Sequence, residues 1–240
     1  MALSTRPNLA QEIADHLAER IIRMDIKPGE RIMEAHVAEE LEVSRSPVRE
    51  AMHILERYQL VELIPRRGAR VTEFSTEHIR CLFEIMTEIA RLVARRAIEN
   101  REIKELDSFV HFFERALKCA DADDLEGYFE SIYGYALALM EASCNPLLGH
   151  MLRDWLPSVR RIYFLSLSHS EYNLRESVNI LEEFNECVVL GQSERAEQVV
   201  EAYLDQEQER IVAIAEQRLG AESGFGKDSG PYGRLGFSDA

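Results

Sequence analysis

The chain has 240 residues, 46% hydrophobic and 30% charged, with 28 Lys and Arg against 43 Asp and Glu for a formal net charge of −15. Such a composition belongs to a folded globular protein with room for two cores, and no apolar run approaches the ~20 residues that a membrane span requires. The four cysteines (Cys81, Cys119, Cys144, Cys187) are far apart and show no C-x-x-C spacing, which reads as reduced, buried thiols rather than a redox sensor.

The first residues, Met1-Ala2-Leu3-Ser4-Thr5-Arg6-Pro7, lack the apolar core of a signal peptide, so a cytosolic protein is expected. Segment 9–24 places Leu9, Ile13, Leu17, Ile21 and Ile22 three to four residues apart, the period of an amphipathic helix. Lys27-Pro28-Gly29 ends it with a turn. A second helix is predicted over about 34–41 and a third over about 45–58, whose core stripe is Val48, Ala51, Met52 and Leu55. Ser44 or Ser46 can cap the third helix, and Pro47 is tolerated in its first turn, where no amide partner is lost. Leu60–Ile64 and Ala69–Val71 read as two strands of a hairpin, with Gly68 supplying the turn conformation.

Residues 72–75 form a short linker, and beyond it the pattern is helical throughout. Helices are predicted over about 76–99, 101–120, 123–142, 146–169, 173–190 and 194–218. Asn145-Pro146 reads as a cap followed by a first-position proline, and Gly191-Gln192-Ser193 as a stop, a turn and a new cap. Pro157 falls inside the fourth of these helices and should kink or divide it. The fold class expected is therefore mainly α: a winged helix-turn-helix of three helices and a β-hairpin over 7–72, then an all-α antiparallel bundle over 76–219. The glycine-rich residues 220–240 are expected to be a disordered tail.

The charge is unevenly divided. Residues 1–72 hold 11 Lys and Arg against 12 Asp and Glu, whereas residues 73–240 hold 17 against 31. Phosphates would repel the second domain, while the first can touch them if its basic residues share a face. Arg45 and Arg49 lie four apart on the third helix, opposite its apolar stripe. A guanidinium there can make a bidentate contact with guanine or grip a phosphate. Ser44 and Ser46 are short donors suited to phosphates beside it. Arg66, Arg67 and Arg70 on the wing can reach the backbone or the minor groove, and Arg31 can reach a phosphate. The competing reading pairs Arg45 and Arg49 with Glu42 or Glu50 on a solvated face, and Arg31 with Glu34.

Pro28-Gly29-Glu30-Arg31-Ile32, Val37-Ala38-Glu39-Glu40-Leu41, Val43-Ser44-Arg45-Ser46-Pro47-Val48-Arg49-Glu50-Ala51, Leu60-Val61 and Arg67-Gly68-Ala69-Arg70-Val71 together resemble the GntR family of bacterial transcription regulators. The helical remainder, with Ala142-Ser143 ahead of Asn145-Pro146, resembles the FCD domain of the FadR-like branch. The resemblance implies a homodimer on a short palindromic operator of double-stranded DNA, usually a repressor, controlled by a small metabolite inside the bundle. Glu42 departs from the family, which usually has glycine in the turn.

Many FCD-type domains hold a divalent metal between one aspartate and three histidines. Counted from Asn145, those positions are Ile132, Ala136, a residue near Leu181, and Tyr203; an arginine that often holds a carboxylate corresponds to Met86. Only the tyrosine is a ligand at all, and a poor one. The seven histidines of the chain include no i, i+3 or i, i+4 pair. No metal and no cofactor are expected. Met86, Ile132, Ala136 and Leu181 would make the cavity apolar, so an apolar effector occupies it, or side chains fill it and the bundle serves only to dimerise, or an unrecognised polar effector binds there. Tyr133, Tyr135, Arg160, Arg161 and Tyr203 are the polar or aromatic groups that would meet a ligand. An enzyme is not expected, because no nucleophile–base pair stands at a recognisable spacing.

Overall fold

The computed structural model describes residues 9–65, 67–100, 103–169 and 172–221. Arg66 of the wing tip and the tail expected beyond the last helix lie outside the described residues. The described residues divide into two compact units, the first taking those through Phe74 together with Arg153–Ile162, the second Ser75–Leu152 and those from Tyr163 to the end of the last helix.

In the first unit, α1 (Leu9–Ile22) buries Ile13, Leu17 and Ile21 along one face. After it come β1 (Arg31–Ile32), α2 (Glu34–Glu40), α3 (Arg45–Arg57), β2 (Val61–Ile64) and β3 (Gly68–Val71). The strands form one antiparallel sheet in the order β1-β3-β2. Strand β1, two residues long, had no signal in the sequence: it is too short for an alternation to show. Its register sets Arg31 opposite Arg70 and Ile32 opposite Ala69. Because successive side chains alternate between faces, Ile32, Ala69, Val71 and Val61 turn inward and are buried, while Arg31 and Arg70 turn outward. Val48, Ala51, Met52 and Leu55 of α3, each 1% exposed or less, close the core against α1.

The helix expected over 146–169 is in fact two, α7 (Pro146–Leu152) and α8 (Leu156–Leu167). Pro157 is the reason: without an N–H it fits only a helix's first turn, so a new helix starts around it. Asn145 caps α7 by accepting from the Leu147 amide at 3.2 Å. The remaining helices of the second unit are α4 (Thr76–Glu99), α5 (Ile103–Asp121), α6 (Leu125–Ala142), α9 (Leu174–Leu190) and α10 (Ser193–Ala221). Ser75 caps α4 by accepting from the His78 amide, 3.1 Å, and Asn173 caps α9. Gly191, at φ +70°, ends α9 in the left-handed conformation that glycine adopts without steric cost. Helix α4 packs along α10, α5 along α6, and α9 against both α5 and α10. Phe109, Tyr135 and Phe184 form the aromatic centre of one core cluster, with the Phe109 and Tyr135 rings 4.5 Å apart. Among the described residues no helix is long and apolar enough to cross a membrane.

Candidate nucleic-acid interface

Helices α2 and α3 are joined by a tight turn through Leu41–Ser44, closed by the Val43 amide donating to the Ala38 carbonyl at 2.9 Å. Glu42 sits in that turn at φ +53°. Glycine adopts this left-handed backbone freely, whereas glutamate bears a steric cost on the order of 1 kcal/mol. Ser44 is the N-cap residue of α3, yet its side chain makes no capping bond. The expected serine cap is thus absent from Ser44, and its hydroxyl stays available beside the first amides of the helix, a place suited to an anion.

Ser44, Arg45, Ser46 and Arg49 are all exposed. Among the described residues Arg45 has no ion-pair partner. Arg49 does have one, but neither Glu42 nor Glu50: Glu34 of α2 accepts from its Nε at 3.2 Å and its Nη2 at 3.0 Å. The pairing holds the Arg49 guanidinium charge above its ordinary pKa and leaves the side chain 65% exposed. Glu34 is therefore committed to Arg49 rather than to Arg31.

On the wing, Arg31, Arg67 and Arg70 are exposed. Arg70 is oriented by its Nε, which donates to the Gly29 carbonyl at 3.0 Å. Gly68 takes φ +86°, and a Cβ there would lie 2.2 Å from the Ile32 carbonyl oxygen, so the wing turn and β1 both depend on glycine. What results is a short helix presenting two serines and two arginines at its start, with a basic hairpin after it.

Arg160 and Arg161, read from sequence as effector ligands in the bundle, belong instead to the first unit. Arg160 Nη1 pairs with Glu19 of α1 at 3.0 Å. Arg161, 1% exposed, donates from Nη1 to Thr72 Oγ1 at 3.0 Å and from Nη2 to the Thr72 carbonyl at 2.7 Å, and lies over the Phe74 ring at 4.7 Å. Burial lowers its pKa to about 10, with the Glu73 charge opposing the drop. Their spacing on an apolar helix gave no sign of these partners, which stand 89 and 141 residues away in sequence.

The other effector candidates disperse. Ala136 is exposed and Ile132 half-buried, because the inward stripe of α6 runs through Tyr128, Ser131, Tyr135, Ala138 and Ala142. The register counted from Asn145 therefore points away from the interior at Ala136. Tyr135 is a core residue whose hydroxyl donates to Asn185 Oδ1 at 2.8 Å, and Leu181 packs against the same core. Met86 and Tyr133 are half-buried. No group of three His, Cys, Asp or Glu among the described residues could hold a metal ion, so the donor set does not fit the metal that the resemblance implies.

Tyr203 alone joins a polar centre, and it is one that spacing had not revealed. Its hydroxyl donates to Tyr163 at 3.2 Å, and Tyr172 donates to Ser177 at 3.0 Å. Glu207, 3% exposed, accepts from Ser166 at 2.9 Å and from Arg210 at 2.6 Å. Burial pushes the Glu207 carboxyl up, with Arg210 opposing, and raises all four phenols (Tyr128, Tyr163, Tyr172, Tyr203). A buried carboxylate among tyrosines leaves no periodic trace, because the groups around it come from α6, α8 and α10 and from the loop at Tyr172.

A helix-turn-helix with exposed arginines on its second helix and a basic antiparallel hairpin behind it is the reading head of a winged helix-turn-helix DNA-binding regulator. Residues 9–71 match the family described as bacterial regulatory proteins, gntR family, and residues 81–206 match the FCD domain. The chain belongs to the GntR family and carries an FCD domain; it is a DNA-binding transcription regulator and not an enzyme. It is 27% identical over 208 residues to the uncharacterized HTH-type transcriptional regulator YdhC of Bacillus subtilis, covering 85% of this chain and 91% of that protein. It is 28% identical over 191 residues to the HTH-type transcriptional repressor RspR of Escherichia coli, covering 75% and 82% respectively. The solved structure of E. coli McbR/YncC shares the fold at a TM-score of 0.72 and 21% identity, over 88% of this chain and 98% of that one.

Proposed function

We propose that the protein is a homodimeric repressor that reads a palindromic operator through Arg45 and Arg49 and is controlled by a small molecule held in its helical unit. The observation that carries the reading is the start of α3: Ser44, Arg45 and Ser46 stand exposed around an uncapped helix N-terminus. There a phosphate finds backbone amides and hydroxyls while a guanidinium reaches the base edges. Arg31, Arg67 and Arg70 grip the flanking backbone. RspR is named a repressor, which supports the sign proposed here. An effector that prefers one arrangement of the helical unit alters the separation of two reading heads, and fixed half-site spacing converts that into weaker binding.

A second reading, a dimer without effector, draws on Leu181, which packs against the core near the position where the family resemblance implies a metal ligand. Duplexes selected from a random pool by the full-length chain test the main reading. It requires a two-fold symmetric consensus bound by two chains and released by some metabolite fraction. Selection of an asymmetric site, or a complex that no fraction disturbs, would favour another account.

A further inference from the structure

The polar centre of the helical unit has a composition that selects one ligand chemistry. The Glu207 carboxyl and the phenols of Tyr128, Tyr163, Tyr172 and Tyr203 lie close enough that each would oppose the ionisation of its neighbours. The Glu207 carboxylate is bound by the Arg210 guanidinium, and that same guanidinium lies over the Tyr172 ring at 4.5 Å. A cation gripped by a carboxylate and an aromatic face is thus already present, supplied by the chain itself. Arg210 comes from the rim, its side chain 26% exposed against 4% for Glu207, so a ligand that displaced it would leave the guanidinium a route to solvent. A second, independent observation is the Tyr128 hydroxyl. The residue is wholly buried and no hydrogen bond of good geometry reaches its oxygen, although the Ser177 and Tyr163 hydroxyls lie close enough to temper the rise of its pKa. Folded proteins rarely leave such a group unmatched unless something else supplies the match.

Resting on the effector reading above, we propose that this nest binds a protonated primary amine, whose ammonium displaces Arg210 from Glu207 and donates to the Tyr128 hydroxyl oxygen. An ammonium carries three donors and no acceptor, which suits one carboxylate flanked by phenolic oxygens. An anion would meet Glu207 inside a domain that holds 31 acidic residues against 17 basic ones over residues 73–240, a field that repels it. An apolar molecule would displace Arg210 without replacing its hydrogen bond to Glu207.

The test uses the full-length protein and three probes of one shape, n-butylammonium, butyrate and 1-butanol, followed by calorimetry and thermal unfolding. Butylammonium is expected to bind and stabilise, and the other two to do neither. Arg210→Ala removes the built-in competitor and should tighten butylammonium roughly tenfold. Glu207→Gln should abolish the binding, and Tyr128→Phe should weaken it while melting no lower than the parent, which separates ligand loss from misfolding. Butyrate or butanol binding in place of the amine overturns the amine class and leaves an effector site standing. Failure of all three probes with both the parent and Arg210→Ala overturns the amine site. In that case a protein-free cell extract that still releases the operator preserves the effector reading, and one that does not removes it too.

Discussion

Glu34 shows how one carboxylate can tune a reading head. By holding Arg49 it fixes the direction of that guanidinium and leaves Arg45 the less constrained of the two for a base edge. At the wing tip the part proposed for Arg67 is different, since a phosphate contact carries no sequence information. Arg67→Ala should weaken every duplex alike and reduce the salt slope of log K by about one; an altered base preference would place it in a groove instead. Glu207 offers a residue-scale test of the helical unit. Its folded pKa lies above the ordinary 4.5, so the folded state binds the proton more tightly than the unfolded chain does. Stability is then greatest below 4.5 and falls as pH rises through the raised value. Denaturant unfolding across that window should show this fall in the parent, and Glu207→Gln should flatten it. A parent whose stability climbed there more than that of the variant would contradict the burial argument.

At the scale of elements, the wing depends on one glycine. Gly68→Ala puts a methyl group 2.2 Å from the Ile32 carbonyl oxygen at a positive φ, which the β1–β3 pairing cannot absorb. The variant should lose roughly 2–4 kcal/mol of stability, read as a lower denaturant midpoint, and unchanged stability would mean that the hairpin is not built this way. Helix α8 supplies a second case. Arg161→Ala strips both the Thr72 hydroxyl and carbonyl of a buried donor and opens a cavity, so it should cost roughly 2–4 kcal/mol. Arg161→Lys should recover only part of this, since an ammonium cannot present the guanidinium's planar fork to both oxygens; full recovery by lysine would show that charge alone matters. These elements also show what the sequence could tell. The stripe Val48, Ala51, Met52, Leu55 and the turn at Gly68 were legible because a helix period and a positive φ are local properties. Strand β1, the Arg161–Thr72 tie and the Glu207 nest were not, because each depends on residues distant in sequence. The exposure of Ala136 has a related cause: counting from Asn145 fixes a position along α6 but not which face is buried, and the buried stripe passes through Tyr135.

For the whole molecule, the division of charge is the governing fact. A chain of net charge −15 binds a polyanion only if its cations are gathered on the first unit and its acidic bulk is kept elsewhere. The chemistry of the helical unit also bears on metals. Since its described residues offer no set of metal ligands, treatment with a chelator should leave the melting temperature and operator affinity unchanged, and a drop in either would show that donors from elsewhere complete a site.

The central claim is that the exposed guanidinium at the start of α3 reads bases. Its most direct test is fluorescence anisotropy of full-length parent and Arg45→Ala on the selected operator and on the same duplex with single base pairs exchanged. The account predicts that the variant loses roughly ten- to a hundredfold in affinity for the operator and no longer distinguishes the exchange at one position in each half-site. Equal discrimination by both proteins at every position would contradict it.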